Sequence, residues 1–314
     1  MRATSVKTNP SMYRFFFIVS LLLATCCLSV ASQHASPFSF NKRYKGEKLL
    51  IAGCGWNKIG VVDKQTGHLD WEQPLSKGED CNDIELTAQR NILYAYTTGA
   101  RLITPAGQIL WDYKAGTNEE LFTATQQRKG GYLLAICGHP ARIVELNKKG
   151  IPVKELSFET DIPNVHNQFR QIEKTKRNTY LIPLFATGEL LELDETGKEL
   201  DRIPVGGTPF MVKQLKTGHW LVACGDGHRW VEIDPRTRQL VRAVSSDDVP
   251  DVSLLFVSEL CRYPNGTTLI SNWNGHSADK SQPKLLEVDR SNQVVWRLKE
   301  TGAIKNVSSV FLLP

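Results

Sequence analysis

The sequence predicts an all-β protein, a six-bladed β-propeller of four-stranded antiparallel blades whose ring is closed by the C-terminal strand joining the N-terminal blade. Three observations carry this prediction. A hairpin pattern recurs six times, successive copies lie about 40–45 residues apart, and the repeat is incomplete at both ends of residues 48–314. A repeat of this length that alternates apolar and polar residues is typical of propeller blades.

The clearest part of the repeat is a hairpin in which alternating apolar residues lead into a turn of Asp, Gly, Asn or Pro. Apolar alternation predicts strands with one buried face, and these turn residues supply the backbone geometry of tight hairpins. We interpret the hairpin as the third and fourth strands of each blade. Its six copies are Ile59–Trp71, Ala100–Trp111, Ala141–Val153, Glu189–Leu200, Arg229–Val241 and Lys284–Trp296.

The two ends of the repeat region complete each other. Each of the last five hairpins above is preceded by a hairpin of first and second strands, but the first is not, so one first strand is missing. Val307–Pro314 has the pattern of a first strand, and Lys48–Ala52 that of a second strand. Pairing them would close the ring and remove the exposed sheet edges of an open array. A seven-bladed ring would need another hairpin, and a two-domain sandwich would not give the sustained period.

The N-terminal region has the pattern of an export signal. Arg2, Lys7 and Arg14 precede an apolar run from Phe15 to Leu28, which is short for a membrane span. We predict a signal peptide at residues 1–31, a linker at 32–47 and a single propeller domain at 48–314. Cleavage near residues 29–31 would release a secreted or periplasmic protein, whereas a lipobox ending at Cys26 would anchor it to the cell surface by a lipid.

Composition limits the partners. The formal net charge of +5 is spread along the chain, and no cluster of Lys and Arg alternates with aromatic residues, so nucleic acid is not an expected partner. Membrane contact is expected only through the lipid, and the protein is expected to be a monomer. The five cysteines of the repeat region have no metal-binding spacing. We expect small buried thiols, with a Cys54–Cys81 disulfide as the alternative.

Parts of the repeat resemble known families. Asp63, Thr66, Gly67 and Trp71 resemble the repeat of PQQ-like quinoprotein propellers, and the turn at Arg262–Ile270 is similar to repeats of arylsulfotransferase-related propellers. The resemblance covers nearly all of residues 48–314 and implies the fold. PQQ enzymes of that type use eight blades and a dedicated pocket, so PQQ is not an expected cofactor. Arylsulfotransferase-like propellers use a histidine at the channel mouth, and His166 occupies a similar place before a first strand.

The candidate site lies on the face where the second-to-third strand loops and the blade-to-blade loops emerge. Four of the seven histidines map to this face. Imidazoles could ligate a metal or act as general acid and base, and arginines could hold an anion such as sulfate. The alternative is that Gly-His is a loop feature copied by duplication. The candidate catalytic residues are His166 and His228, and the candidate ligand-binding residues are Trp56, Asn57, His139, Arg142, Arg170, Arg229, Trp273 and His276.

Two functions follow from these observations. The first is a non-catalytic exported propeller that binds a protein or carbohydrate partner on its channel-mouth face, where Trp56 and Trp273 would stack on a ring. The second is an arylsulfotransferase-like or lyase-like enzyme that uses a channel-mouth histidine. The sequence leaves the choice between binding protein and enzyme open, because the fold alone does not assign a function. No cofactor is expected, although a metal at the histidine cluster is an alternative.

Overall fold

A computed structural model describes residues 38–314 of the chain. The predicted signal peptide, with cleavage near residues 29–31 and a lipobox at Cys26 as its two alternatives, lies outside the described residues. Within them, 24 strands form six four-stranded antiparallel sheets, and two short 3-10 turns lie at Val165–Asn167 and Ser246–Asp248. The prediction of a six-bladed propeller is confirmed.

The strands follow the chain order from the channel outward in five of the blades. Blade 1 contains β1 (Lys48–Ala52), β2 (Lys58–Asp63), β3 (Leu69–Pro74) and β24 (Ser309–Leu312). Blade 2 contains β4 (Cys81–Leu86), β5 (Ile92–Tyr96), β6 (Gly99–Ile103) and β7 (Ile109–Lys114). Blade 3 contains β8 (Glu120–Gln126), β9 (Tyr132–Cys137), β10 (Ala141–Leu146) and β11 (Pro152–Phe158).

The other three blades have the same organisation. Blade 4 contains β12 (Glu173–Lys174), β13 (Tyr180–Leu184), β14 (Glu189–Leu193) and β15 (Glu199–Pro204). Blade 5 contains β16 (Met211–Gln214), β17 (Trp220–Ala223), β18 (Arg229–Asp234) and β19 (Gln239–Ser245). Blade 6 contains β20 (Val257–Arg262), β21 (Thr268–Asn272), β22 (Leu285–Val288) and β23 (Val294–Arg297).

Ring closure occurs in blade 1. Strand β24 pairs antiparallel with β1, so that Ser309 lies opposite Ala52 and Leu312 lies opposite Leu49. The pairing continues beyond the strands, where the Tyr44 N–H donates to the carbonyl of Pro314 at 2.6 Å. The predicted closure of the ring by the C-terminal strand is confirmed.

The start of the described region belongs to the folded domain. Phe40 is buried against Trp71, and the rings meet edge to face with their centroids 5.0 Å apart. Phe38 stacks on Tyr44 at 5.1 Å. Residues 38–47, which form part of the predicted linker, therefore pack on blade 1 and extend its apolar core.

Turn geometry explains one glycine of the sequence motif in blade 1. Gly67 has a φ of +74°, a region that glycine reaches without a Cβ penalty. A Cβ at this position would also lie 2.3 Å from the carbonyl oxygen of Lys299 in blade 6. Gly67 therefore serves both the hairpin turn and the close approach of blade 6 to blade 1.

The five cysteines of the described chain are all free thiols. Cys81, Cys137 and Cys224 are buried, and Cys54 and Cys261 are partly buried. The expectation of small buried residues fits this placement better than the Cys54–Cys81 disulfide does. In residues 38–314, no helix is long and apolar enough to cross a membrane.

Side chains in the central channel join neighbouring blades. The innermost strand of each blade is a sheet edge, so some of its backbone N–H groups lack a partner in the sheet. Polar side chains of the preceding blade accept hydrogen bonds from them. The pairs are Ser309 with the Ile84 N–H, Asp83 with Ala124, Glu85 with Gln126, Thr123 with Ile172 and Glu259 with Val310, at 2.7–3.1 Å.

This arrangement places carboxylates in the interior. Burial raises the pKa of Asp83 to about 8, with Lys213 opposing the shift and Glu259 adding to it. Burial likewise raises the pKa of Glu85 and Glu259. Burial disfavours the charged form of Lys213, but Glu173 and these three carboxylates together raise its pKa above the ordinary value. The channel therefore holds more acidic groups than one lysine can neutralise.

We expect the protein to be more stable at pH 5 than at pH 8. Asp83 keeps its proton in the folded state up to about pH 8 but loses it near pH 4 when unfolded, so stability falls as pH rises through this window. The loss from pH 5 to pH 8 should be on the order of 2–4 kcal/mol, or roughly 5–10 °C in Tm. Thermal unfolding at constant ionic strength measures it.

Asp83→Asn provides the control, because the amide oxygen can still accept from the Ala124 N–H. The variant should flatten the pH dependence. An unchanged slope in this variant would show that Asp83 does not hold the proton.

Candidate functional site

A small pocket opens at the channel mouth, where all six blades meet. Its volume is about 100 Å³. Four phenylalanines and one tryptophan line it, together with one arginine, two histidines and three smaller polar residues. The lining residues are Cys54, Asn82, Phe122, His166, Arg170, Phe185, Phe210, Phe256, Trp273, His276 and Ser308.

Equivalent positions of the repeat supply the pocket floor. The side chains of Thr123 and Asp83 each accept a hydrogen bond from the first strand of the next blade. The two residues therefore occupy equivalent positions in their blades, and so do the residues just before them. The N–H groups of Ile172, Val212 and Ile84 form the corresponding hydrogen bonds between neighbouring blades. The residues that precede Gln171, Met211 and Ser309 therefore occupy the same position in their blades. The pocket-lining members of this layer are Ser308, Asn82, Phe122, Arg170 and Phe210.

Arg170 is the only cation of the described chain in this layer, and it is 3% exposed. Its guanidinium carbon lies 4.0 Å from the ring centroid of Phe122 and 4.3 Å from that of Phe185. Nη1 donates to the carbonyl of Phe169 at 3.0 Å, and no ion pair joins Arg170 to a carboxylate within residues 38–314. Burial lowers the pKa of Arg170 to about 10, which leaves it charged at neutral pH.

Two histidines at the pocket rim are each held by a carboxylate. His166 Nδ1 lies 2.7 Å from Glu120 Oε2, and His276 Nδ1 lies 3.3 Å from Asp226 Oδ1. The His276 ring also meets the Trp273 ring edge to face at 4.6 Å. A carboxylate on Nδ1 orients the imidazole and leaves Nε2 for a ligand or for proton transfer.

The thiol at the pocket is not activated. Cys54 Sγ lies 3.4 Å from Asp80 Oδ2, and burial followed by that carboxylate raises its pKa to about 11. The thiolate is the nucleophilic form of cysteine. Cys54 is therefore a neutral, weakly polar part of the wall at pH 7.

Other predicted site residues lie away from the pocket wall. Arg142 is held by Glu119 through two contacts of 2.7 and 2.8 Å and by Glu155 at 3.2 Å, so its charge is already paired. Arg229 donates to the carbonyl of Val205. The charge of Arg142 is thus already neutralised by neighbouring carboxylates, whereas Arg229 has no carboxylate partner in residues 38–314 and does not line the pocket. The predicted role of these two arginines in holding an anion stays a prediction.

The other two predicted histidines bind backbone carbonyls. His139 Nε2 lies 2.9 Å from the Pro163 oxygen, and His228 Nδ1 lies 2.9 Å from the carbonyl oxygens of Leu254 and Leu255. They tie neighbouring loops together and do not line the pocket. The predicted group of four histidines thus separates into a pocket pair, His166 and His276, and a loop pair.

The two remaining predictions concern the loop after β1. Trp56, expected to be exposed, is 4% exposed and packs in the core with Leu49 and Val307, while its indole N–H donates to the Ala303 oxygen at 3.2 Å. These apolar contacts keep the ring buried, although Trp56 belongs to a loop of the channel-mouth face. Asn57 is exposed, with a φ of +57°, and does not line the pocket.

The arrangement does not favour a metal at the histidines. Among residues 38–314, no group of three or more His, Cys, Asp or Glu side chains could hold a metal ion. His166 and His276 each contribute one imidazole with its own carboxylate. The chemistry that the pocket can offer is therefore anion binding at Arg170, aromatic contacts and proton transfer at the rim.

Sequence reasoning missed the aromatic wall. Phe122, Phe185, Phe210 and Phe256 were not selected, because phenylalanine in a strand usually indicates core. A signal was nevertheless present. Several first-strand segments begin with Phe at or near the same position, as in LFTATQ, FMVKQ and LFVSEL, and this column marks the channel mouth.

Comparison with known proteins places the chain among propellers. A crystal structure of a protein of unknown function from Bacteroides caccae is 40% identical, with 84% of this chain and 97% of that chain covered and a TM-score of 0.80. Virginiamycin B lyase from Staphylococcus aureus, crystallised as an inactive variant with quinupristin, is 12% identical, with coverage of 83% and 88% and a TM-score of 0.58.

A third solved structure, the WD40 propeller domain of Doa1, is 13% identical, covers 72% of each chain and has a TM-score of 0.55. At such low identity these last two structures show the fold alone. No curated protein matches the sequence.

A family model identifies the chain more closely. The model described as Mal s 1 allergenic protein-like matches residues 54–293, which include strands of all six blades. The similarity to PQQ-like and arylsulfotransferase-related propellers stays a resemblance of the repeat. With most of its sequence covered by that model, the chain belongs to the Mal s 1 allergenic protein-like family.

Proposed function

We propose that the protein is a binding protein whose channel-mouth pocket holds a small organic anion. The anionic group of the ligand would bind Arg170, and a ring of the ligand would lie between the aromatic side chains of the pocket. The observation that carries the proposal is a buried guanidinium without a carboxylate partner in the described chain, lying at a pocket. An unpaired buried charge is costly, and a ligand anion would offset that cost.

The aromatic contacts support a planar acceptor. Phe122 and Phe185 lie against the guanidinium carbon, which leaves the N–H groups at the edge of the group as its donors. Two parallel N–H donors match the two oxygens of a carboxylate. A carboxylate that arrives in the plane of the guanidinium would therefore be favoured over a neutral ligand of the same shape.

Pocket size limits the part of the ligand that enters. A volume of about 100 Å³ is of the same order as an apolar cavity of about 150 Å³ that holds one benzene ring. Trp273 is half-buried at the rim and offers its ring to the next part of the ligand. A carboxylate on a six-membered ring, aromatic or sugar, meets these conditions.

The partner and location predicted from the sequence remain proposals. A glycan that carries a uronic acid, or a protein that presents an acidic side chain, would supply the carboxylate. Export is supported by the N-terminal pattern of residues 1–31, with release or lipid anchoring at Cys26 as its two outcomes. In either case the pocket would meet ligands outside the cytoplasm.

Titration with matched ligands tests the proposal. Benzoate should bind and raise the Tm, whereas benzamide, which has the same shape and no charge, should bind at least tenfold more weakly. Glucuronate tests the sugar alternative. Calorimetry gives the affinities, and equal affinity for benzoate and benzamide would contradict a role for the charge of Arg170.

A lyase-like enzyme is the second candidate. His166, held by Glu120 at 2.7 Å, lies at the same pocket as Arg170, an arrangement that suits a general base beside a bound anion. Propellers of this fold include virginiamycin B lyase. NMR spectra of the ligands in the same titrations separate the two candidates. Ligands that persist for a day favour a binding protein, and consumption that requires His166 favours an enzyme.

A further inference from the structure

Four blades carry a glutamate at the equivalent position of the third strand, close to the face opposite the channel mouth. In three of them a cation of the seam between two blades neutralises the glutamate. Glu145 binds Lys174 and Glu287 binds Lys64, each at 2.5 Å, while Glu192 binds Arg238 and Arg177. An aromatic ring, Tyr180, Tyr263 or Trp220, lies 5.1–5.5 Å from the cation in each case.

The seam between blades 5 and 6 departs from this pattern. Glu232 Oε1 is held by His219 Nδ1 at 2.7 Å, and Oε2 lies 3.5 Å from Arg262 Nη2. That distance is too long for a good hydrogen bond. Nε and Nη2 of Arg262 are buried without any hydrogen-bond partner. Arg262 thus has donors that no acceptor within residues 38–314 satisfies.

Two more arginines add positive charge at this seam. Arg242 Nη2 donates to the backbone oxygen of Arg290 at 3.1 Å and to Asn292 Oδ1 at 2.5 Å, both neutral acceptors. Arg290 lies across the turn at Gly266, where a Cβ would be 2.1 Å from Arg290 Nε. Within residues 38–314, neither Arg242 nor Arg290 has a carboxylate partner.

The three guanidinium groups affect one another. Burial lowers the pKa of Arg262, and Arg242 and Arg290 lower it further against the opposing effect of Glu232. Of the three arginines only Arg262 lies within ion-pair distance of a carboxylate, and that carboxylate, Glu232, is also bound by His219. The other three seams have at most two cations for each glutamate, so the surplus is specific to this place.

We infer that Arg242, Arg262 and Arg290 form a binding site for a tetrahedral oxyanion, sulfate or phosphate. Such an anion presents several oxygens to donors from different directions, which suits guanidinium groups contributed by two blades. It would also offset the repulsion among them. The anion could be free or could be a sulfate or phosphate ester on a sugar, and the chemistry at the three arginines is the same.

The test is a titration with sodium sulfate and sodium phosphate at up to about 10 mM, with ionic strength held constant by NaCl because exposed charges respond to bulk salt. We expect a saturable rise in Tm for the native sequence. The double variant Arg242→Gln, Arg290→Gln should lose at least tenfold in affinity. The control Lys216→Gln, Arg236→Gln removes the same charge from exposed positions of blade 5 and should bind normally.

Glucose 6-sulfate and glucose distinguish the two sources of the anion. Binding of the sulfate ester at least as tight as that of free sulfate indicates a sulfated sugar, and binding of free anions alone indicates an inorganic ligand. A Tm that rises without saturation and equally in all variants would show a bulk salt effect and would overturn the inference. So would an unchanged affinity in the Arg242/Arg290 double variant.

Discussion

Removal of residues 306–314 is expected to abolish cooperative folding of the propeller. Strand β24 is the innermost strand of blade 1, and Val307, Val310 and Leu313 are each at most 3% exposed. Burying an aliphatic side chain contributes about 1.5–3 kcal/mol, so three of them contribute about as much as the whole stability of a typical domain. The loss would also leave the edge of β1 unpaired. Circular dichroism during thermal unfolding measures the outcome.

A circular permutant supplies the matched control. Pro314 and Tyr44 are joined by a hydrogen bond of 2.6 Å, so a short glycine linker can connect them, and the turn at 147–150 is an exposed place for new ends. Because this junction removes residues 38–43 with the buried Phe40, the truncated chain compared with the permutant also begins at Tyr44. The permutant keeps β24 and should unfold cooperatively, whereas the truncated chain should not. A truncated chain that unfolds cooperatively within about 5 °C of the intact protein would refute the role of closure.

Substitution of Arg170 by methionine should separate ligand binding from stability. The variant removes the anion-binding group, so benzoate affinity should fall at least 100-fold, or about 3 kcal/mol. Without ligand, the variant should be as stable as the native sequence or more stable by about 1–3 kcal/mol. The physical reason is that methionine can pack against Phe122 and Phe185 without the desolvation cost of an unpaired charge.

Arg142→Met is the matched control for this prediction. Arg142 is paired with Glu119 and Glu155, and its loss would leave Glu119 without its partner. This variant should be destabilised and should keep its benzoate affinity. Destabilisation by several kcal/mol in the Arg170 variant, with benzoate binding retained, would mean that Arg170 is a structural residue.

The repeat explains why the fold was predictable. Each blade repeats the same alternation and turn residues, and the two partial units at residues 48–52 and 307–314 could only be joined by a ring. Closure was therefore deduced from strand patterns alone. The burial of residues 38–47 was not deduced, because Phe38, Phe40 and Tyr44 belong to no repeat and show no period.

The site was only partly predictable for a related reason. The register of the repeat placed His166, Arg170, Trp273 and His276 on one face, and the structure brings all four to one pocket. It could not distinguish Arg170 from Arg142, because the difference lies in Glu119, a residue from another loop that neutralises only Arg142. Charge pairing between distant segments has no signature in the repeat.

The pairing of β24 with β1 has a consequence for biosynthesis. The innermost strand of the first blade is made after all the other strands, so β1 waits with an open edge while the intervening blades are synthesised. At about 5–20 residues per second, this delay is on the order of 10–50 s. A nascent chain with an unpaired apolar strand can join another chain in the meantime. The edge of β1 must therefore be protected from other chains until residues 309–312 have been synthesised.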